Sequence, residues 1–401
     1  MLTLDCGAEF DPARDAEFFS ALPQRPTVFS VELRDPAARP YLARSANLRM
    51  RLERLLGPPD PAAKRLNLRD LAARVRYRIV GSAFEQALLF YDLARALHPA
   101  RYRALLRLRP PALLKVSLRN AYPRCYVTRR LLNDGGFYFG PFSSRGAADA
   151  FAGEFLNFFR IRRCQIKIRR DPAFPGCLYS EMKMCLAPCF AGCSDEQYAA
   201  ETSRVVRFLE TGGASLASEL EAERQTASAG EDFERAAAIH KKLDKVSAVL
   251  RGLPDLPRRI PDLHALALQP AASETTVACF AVRGGRIAQP FFLDFGQLAG
   301  QPRSAEEMFR DHLESQTEPS PPAPGSAGGE ERSPPESARE EQEDHLSLLA
   351  RWFYSKPRAG EIFFPQPTRG TAAGLAWPYR RILRGCSRVL AAGRGPQVQR
   401  R

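Results

Sequence analysis

Hydrophobic and polar positions divide the chain into stretches of different period. In residues 25–107, "RPTVFSVEL", "ARPYLAR" and "ARVRYRIVG" alternate as strands do. "SANLRMRLERLLG" and "SAFEQALLFYDLARALHP" space their apolar residues as helices do. Ser45 and Ser82 are the predicted N-caps, and Pro99 closes the second helix. This predicts a small mixed α/β domain. Residues 108–195 include "LLKVSLRNAYPRCYVTRRLLNDGGFYFGPFSS", a strand pattern turned at Gly135-Gly136. Residues 196–253 are predicted helical and end in a helical pair. Its second helix spaces Phe233, Ala236, Ala237, His240, Leu243, Val246 and Leu250 along one face.

The pair has no evident core of its own, so its stripe is a candidate partner surface through Phe233, Ala237 and Leu243. Residues 258–370 predict a second small α/β domain. "TTVACFAVRGGRIAQPFFLDF" gives two strands around Gly284-Gly285, and "GEIFFPQ" gives another. "EEMFRDHLES" and "HLSLLARWFYSK" read as amphipathic helices, the second with Leu346, Leu349, Trp352 and Phe353 on one face. Between them, residues 315–344 are rich in Pro, Ser, Gly and Glu and predict a disordered insert. Residues 371–401 predict a basic, mostly irregular tail, with a short helix in "WPYRRILRGCSRVL". The expected fold class is multidomain α+β.

Charge sharpens this picture. The formal net charge is +14 over 401 residues. Such a balance suits a polyanionic partner, although an arginine-rich composition produces the same sum. Its placement says more. Arg124, Arg129, Arg130, Arg162, Arg163 and Lys167 are interleaved with Tyr122, Tyr126, Phe137, Tyr138 and Phe139 through the middle region. Cations that track phosphates, interleaved with rings that stack on bases, suit a DNA-binding surface. The acidic start lacks a signal peptide, and no apolar run is long enough to span a bilayer, so a cytoplasmic protein with reduced thiols is expected.

Five of nine cysteines fall in "RRCQIKIRRDPAFPGCLYSEMKMCLAPCFAGC": Cys164, Cys177, Cys185, Cys189 and Cys193. An odd total fits a disulfide framework poorly and points to metal. The wide spacing is not that of two close zinc pairs, and an iron–sulfur cluster tolerates more variable spacing. Both remain open on spacing alone. The surrounding cations are expected to offset thiolate charge and lower thiol pKa values.

These motifs, "YPRCYVTRRLLNDGGFYFGPFSS", "FFRIRRC", "CLYSEMKMCLAPC" and "DEQYAAETSRVVRFLETG" in that order, resemble the UvrC family of bacterial excinuclease proteins. The resemblance implies a nucleotide-excision-repair protein that binds DNA. It implies a [4Fe–4S] cluster on Cys164, Cys177, Cys185 and Cys189, with Cys193 outside the ligand set. It implies a UVR hairpin in "AGEDFERAAAIHKKL" that docks on UvrB, although His240-Lys241 replaces the family's usual Arg-Asp. The α/β unit after it resembles the segment preceding the family's second nuclease domain. That RNase H-like domain and a helix-hairpin-helix module are expected to be lacking, because the last thirty residues carry no acidic side chain.

The resemblance also makes residues 25–107 a GIY-YIG nuclease-like domain, with departures. Tyr41, Arg44 and Arg51 match catalytic positions. The first catalytic tyrosine reads Phe29, and the metal-binding glutamate reads Phe90. The position of an expected asparagine reads Arg103. Without an oxygen ligand at Phe90, Mg²⁺ has no seat unless Glu85 or Asp92 substitutes, so a nuclease fold without useful activity is expected. The alternatives are a single-incision endonuclease of the short-homologue type and a metal-bearing scaffold without a DNA role.

Overall fold

The computed structural model describes residues 3–59, 65–300, 302–314, 336–367 and 375–393. It is a mixed α+β protein built on three principal antiparallel sheets. In the first, β1 (Cys6–Glu9), β4 (Ala72–Ile79), β2 (Thr27–Leu33) and β3 (Tyr41–Ser45) lie side by side in that order. Side chains alternate across a strand, so this sheet serves two cores. Phe29, Val31, Tyr41 and Ala43 face α2 (Leu48–Leu56) and α1 (Asp15–Ala21), with Phe10, Phe18 and Leu52. Val28 and Leu42 face α3 (Ala83–Leu97), with Phe84, Leu88 and Phe90. The unit therefore begins well before residue 25: β1 and α1 were not expected, yet they close one edge and one face of the sheet.

Ser82 caps α3, accepting the Glu85 N–H at 3.1 Å. Ser45 does not cap α2. It still lies in β3, and the cap is Asn47, whose Oδ1 accepts the Met50 N–H at 3.1 Å. Helix α4 (Tyr102–Leu106) leads into the middle unit.

The second sheet orders β6 (Cys125–Thr128), β5 (Ala112–Val116), β7 (Phe137–Phe142) and β8 (Arg258–Arg259). Helix α5 (Arg145–Phe155) packs on it through Phe151 and Phe155. After the short α6 (Leu178–Glu181) come α7 (Asp195–Glu210) and the pair α8 (Ala214–Ala229) and α9 (Phe233–Arg251). The pair does share a core: Leu216, Leu220, Ile239 and Val246 join Phe155 and Phe208 in one apolar cluster. It was expected to be an isolated hairpin, but its inner face is packed against the middle unit. The expected boundary at 258 also moves, since β8 pairs with β7.

The third sheet runs β11 (Arg286–Ile287), β10 (Thr276–Arg283), β9 (Ala265–Pro270), β13 (Glu361–Phe363), with β12 (Phe291–Asp294) also on β10. Helices α10 (Ala305–Glu314) and α12 (Tyr379–Gly393) cover one face through Phe309, Ile382, Cys386 and Val389. The expected irregular tail is therefore corrected: α12 places apolar residues at i, i+4 and i+7 and belongs to this core. Helix α11 (Glu336–Phe353) covers the other face. Its first two turns overturn part of the expected insert, because Glu336–Asp344 are helical and Asp344 is buried. Residues 315–335 of that insert lie outside the described residues.

The three sheets are not separate beads. Phe84 and Leu88 of α3, Leu113 and Tyr138 of the middle sheet, Phe280 of β10 and Leu349 of α11 share one central core. Gly81 sits at this junction because a Cβ there would meet the Ala271 backbone at 2.1 Å. Among the described residues, no helix is long and apolar enough to cross a membrane.

Candidate active site and cysteine loop

The nuclease-like positions fall on two faces of the first sheet. Tyr41 and Arg51 meet: the Arg51 guanidinium donates to the Tyr41 hydroxyl at 3.0 Å. They border a cavity of about 460 Å³ with Arg54, Leu55, Arg65 and Leu66. Among the described residues three arginines and no carboxylate line it, so they make its potential positive where a divalent cation would need oxygen anions. Phe29 lies behind it, fully buried, its ring centroid 6.4 Å from that of Tyr41.

Arg44 does not join this cavity. It is three residues from Tyr41 along β3, so the two side chains leave opposite faces of the strand. Arg44 instead lies over the Phe90 ring, 5.6 Å from its centroid, on the α3 side. The expected trio of Tyr41, Arg44 and Arg51 is thus one pair and one separate residue.

The two carboxylates proposed as substitutes point elsewhere. Glu85 is buried at the start of α3, where it accepts the Gly81 N–H at 2.9 Å, and burial raises its pKa. Burial also pushes Asp92 up to about 6, helped by the charge of Glu341. Neither lines the Tyr41–Arg51 cavity. Arg103 is held by Asp344 of α11, at 2.9 Å from its Nε.

The cysteine loop between Ile161 and Cys193 has little regular structure, and backbone and arginine contacts hold it. Arg162, expected on a DNA surface, is buried: its guanidinium donates to the carbonyls of Tyr122 (2.8 Å), Ile166 (2.8 Å) and Cys164 (3.4 Å). It pins the loop and offers no surface charge. Arg163 donates to Asn157 at 2.9 Å, and its Nε is buried without a partner among the described residues. Arg170 ties Asp195 (2.7 Å) to the Cys193 carbonyl (2.8 Å). Arg129, Arg130 and Lys167 are exposed, and Arg124 stacks over Tyr126 at 4.3 Å.

Cys164, Cys177, Cys185 and Cys189 share one neighbourhood. Burial is the main reason the Cys185 thiol is pushed up to about 11, and the other three thiols each raise it further. The Cys185 sulfur accepts the Ala187 N–H at 3.3 Å. The expected net lowering of thiol pKa by cations is not found: burial raises Cys185, Cys189 and Cys193, and outweighs the opposing charge of Arg170 at Cys193. Lys183, Ala187 and Ala191 all adopt left-handed backbone in this loop, which is strained for residues with a Cβ. Among the described residues, no three Cys, His, Asp or Glu side chains converge on a single ion position. Cys193 is buried in the apolar cluster of the middle unit and is near enough to Cys189 for the two thiols to affect each other.

Comparison with known proteins places the loop in context. A model of the UvrC/Cho excinuclease middle domain matches residues 112–208, which hold β5 to most of α7 and all five clustered cysteines. The UvrABC system protein C of Moorella thermoacetica is 25% identical over 363 residues, 90% of this chain and 56% of that protein.

Residues 112–208 thus match the UvrC/Cho middle domain, and most of the chain is similar to UvrC proteins.

Within the UvrC family, the protein of Carboxydothermus hydrogenoformans is 32% identical over 212 residues, covering 52% of this chain and 34% of that one. The UvrC protein of Pseudomonas syringae pv. syringae is 29% identical over 292 residues, 72% of this chain and 46% of that one. The chain thus spans about a third to a half of the length of the curated UvrC relatives it matches. No solved structure matches it. Phe29 and Phe90 were legible from the sequence as departures from the UvrC pattern. The separation of Arg44 from Tyr41 was missed, although strand parity carries it. Arg351 and Arg109, which approach Arg44, were missed because nothing local in "LARWF" or "RLRPP" links them.

Proposed function

We propose that the chain is a DNA-binding protein of nucleotide excision repair whose nuclease-like pocket does not incise. The carrying observation is the Tyr41–Arg51 cavity, lined among the described residues by three arginines and no carboxylate; Phe90, which the resemblance puts at the metal-binding glutamate, lies on the other face under Arg44. Phosphodiester hydrolysis of this type needs a divalent cation to take up charge on the phosphate and leaving oxygen. Mg²⁺ in turn needs hard oxygen ligands. Phe29 supplies no hydroxyl to help deprotonate water. Each lost contribution is commonly worth factors of about 10² or more. What remains, the Arg51–Tyr41 pair, can hold a phosphate without cutting it.

Cys164, Cys177, Cys185 and Cys189 would hold a [4Fe–4S] cluster. The reading is supported by the chemistry of the donor set: three thiols whose charges act on Cys185, an N–H···S bond to Cys185, and a loop in strained turns that a ligated core would hold in place. When bound, the cluster supplies a rigid cross-link and a redox centre. Arg162 and Arg170 fix the loop around it, and Arg124, Arg129, Arg130 and Lys167 present cations for DNA beside it. Phe233, 69% exposed at the start of α9, offers an apolar anchor to a UvrB-like partner, whereas Leu243 is partly packed inward. The retained Tyr41–Arg51 hydrogen bond favours the rival reading, a single-incision endonuclease.

One experiment separates the readings. Pure protein is mixed with nicked and lesion-bearing duplexes in Mg²⁺ or Mn²⁺, and bound DNA and new ends are scored together. The expected result is salt-sensitive retention of DNA with no new ends. Metal-dependent ends that vanish in Arg51→Ala contradict it in favour of the endonuclease. Retention that is absent or unaffected by salt contradicts it in favour of a scaffold.

A further inference from the structure

The face of β3 that carries Arg44 opens into a second recess, where the three units meet. This cleft, about 580 Å³, is lined by Arg44, Arg107, Arg109, Arg129, Arg145 and Arg351 and, among the described residues, by no acidic one. The arginines come from separate parts of the chain: β3, the segment after α4, the end of β6, the first turn of α5, and α11. Among the described residues only Arg145 has an acidic partner, Asp149 at 3.4 Å. Arg351 donates to the carbonyls of Leu106 (3.1 Å) and Arg107 (2.7 Å), which fixes its place but leaves its charge uncompensated. Burial lowers its pKa, and the charges of Arg44 and Arg109 lower it further, so both lie within electrostatic reach of Arg351.

Bringing like charges together in a recess opposes folding unless an anion enters. Guanidinium groups are planar donors matched to phosphate oxygens. The N-terminal turn of α5 borders the same recess through Ser143, Ser144 and Arg145, and Ser144 takes the Ala147 N–H at 3.1 Å. The positive end of that helix adds to the arginine field. Phe90, at the expected cation position, lies under Arg44. The local field is therefore inverted: it repels a divalent cation and attracts an anion.

We propose that this six-arginine cleft holds backbone phosphates of a nucleic acid directly, without a divalent cation. The proposal rests on the DNA-binding reading and gives it a place distinct from the aromatic surface around Tyr126. Free phosphate or pyrophosphate offers the same chemistry, so the test includes both.

Binding of labelled single-stranded and duplex oligonucleotides to the whole chain is measured from 50 to 200 mM salt, in EDTA and in Mg²⁺. The variants are Arg44→Glu with Arg109→Glu, the milder Arg44→Gln with Arg109→Gln, and Arg235→Glu on α9 as a charge control. Circular dichroism checks that each is folded. The wild type should bind equally in EDTA and Mg²⁺. The double Glu variant should bind about tenfold or more weaker, with a salt slope shallower by about one per lost phosphate contact. The double Gln variant should fall between, and Arg235→Glu should match the wild type. Folded double variants that bind like the wild type overturn the cleft and leave the DNA reading standing. Wild-type protein that binds no oligonucleotide overturns both. Binding that requires Mg²⁺ overturns the metal-free claim. Phosphate or pyrophosphate heat seen for wild type and lost in the double Glu variant, with oligonucleotide binding unchanged, overturns the nucleic-acid assignment.

Discussion

Asp344 is the most consequential single side chain for how the units are held together. It is buried on α11 and accepts from Tyr102 (2.7 Å), Arg103 Nε (2.9 Å), Arg103 Nη2 (3.3 Å) and Tyr91 (3.4 Å). Burial and the bond to Asp344 push Tyr102 up to about 12. Asp344→Ala leaves a guanidinium and two hydroxyls without this acceptor. Hydrogen bonds to a charged group contribute about 1.5–3 kcal/mol each, and breaking a buried ion pair by removing one partner costs about 3–5 kcal/mol. Arg103 is partly exposed and solvent screens its share, so the lower end applies, about 3 kcal/mol. Asp344→Asn keeps the shape and some acceptor capacity and should cost about 1–2 kcal/mol. The assay is urea unfolding followed by tryptophan fluorescence, since Trp352 lies two turns along the same helix. A cycle with Arg103→Gln isolates the pair, with an expected coupling of about 1–2 kcal/mol. A loss under about 0.5 kcal/mol for Asp344→Ala, within the range of ordinary surface changes, refutes the reasoning.

Three further outcomes follow from particular contacts. Asn47→Ala removes the α2 cap and should lower stability by about 1 kcal/mol, whereas Ser45→Ala should cost less; the reverse order in denaturant midpoints would contradict the observed cap. His345 is buried and accepts the Ile287 N–H on Nδ1 at 3.1 Å, and burial lowers its pKa to about 4. The folded state needs it neutral. Its contribution is therefore complete above about pH 6.5 and is lost as pH falls towards 4, up to about 3 kcal/mol. Asp92, raised to about 6, acts in the opposite sense in the same window, so the measure is the stability gap between wild type and His345→Gln. That gap should shrink from pH 7.5 to pH 4, and a constant gap would contradict the assignment. Anaerobically purified protein should be brown, and Cys185→Ser should lose most of the colour and the bound iron; a colourless wild type with stoichiometric zinc would contradict the cluster.

Much of this architecture was written locally in the sequence. Strand β4 alternates apolar and basic residues from Val75 to Ile79, β2 carries Val28, Phe29 and Val31 in a run buried over its first five residues, and Ser82 stands where α3 begins. What escaped was non-local. Helix α12 looks like a basic tail until Ile382, Cys386 and Val389 are seen on one side of it against the third sheet. Asp344 reads as the end of a charged, low-complexity run, and only the fold supplies Tyr102 and Arg103 as its partners. Arg162 reads as surface charge because a sequence does not reveal that three carbonyls surround its guanidinium. The departures at Phe29 and Phe90 were fully legible, since a missing oxygen is a property of the residue itself. The six-arginine cleft was not, because its members are drawn from positions 44 to 351.

The central claim is that no oxygen ligand seats a divalent cation beside Tyr41 and Arg51. Electron paramagnetic resonance of Mn²⁺ titrated into the whole chain tests it most directly. The predicted result is a spectrum of free Mn²⁺, with no site tighter than about 1 mM. One equivalent of bound Mn²⁺ that is lost in Tyr41→Phe would contradict it.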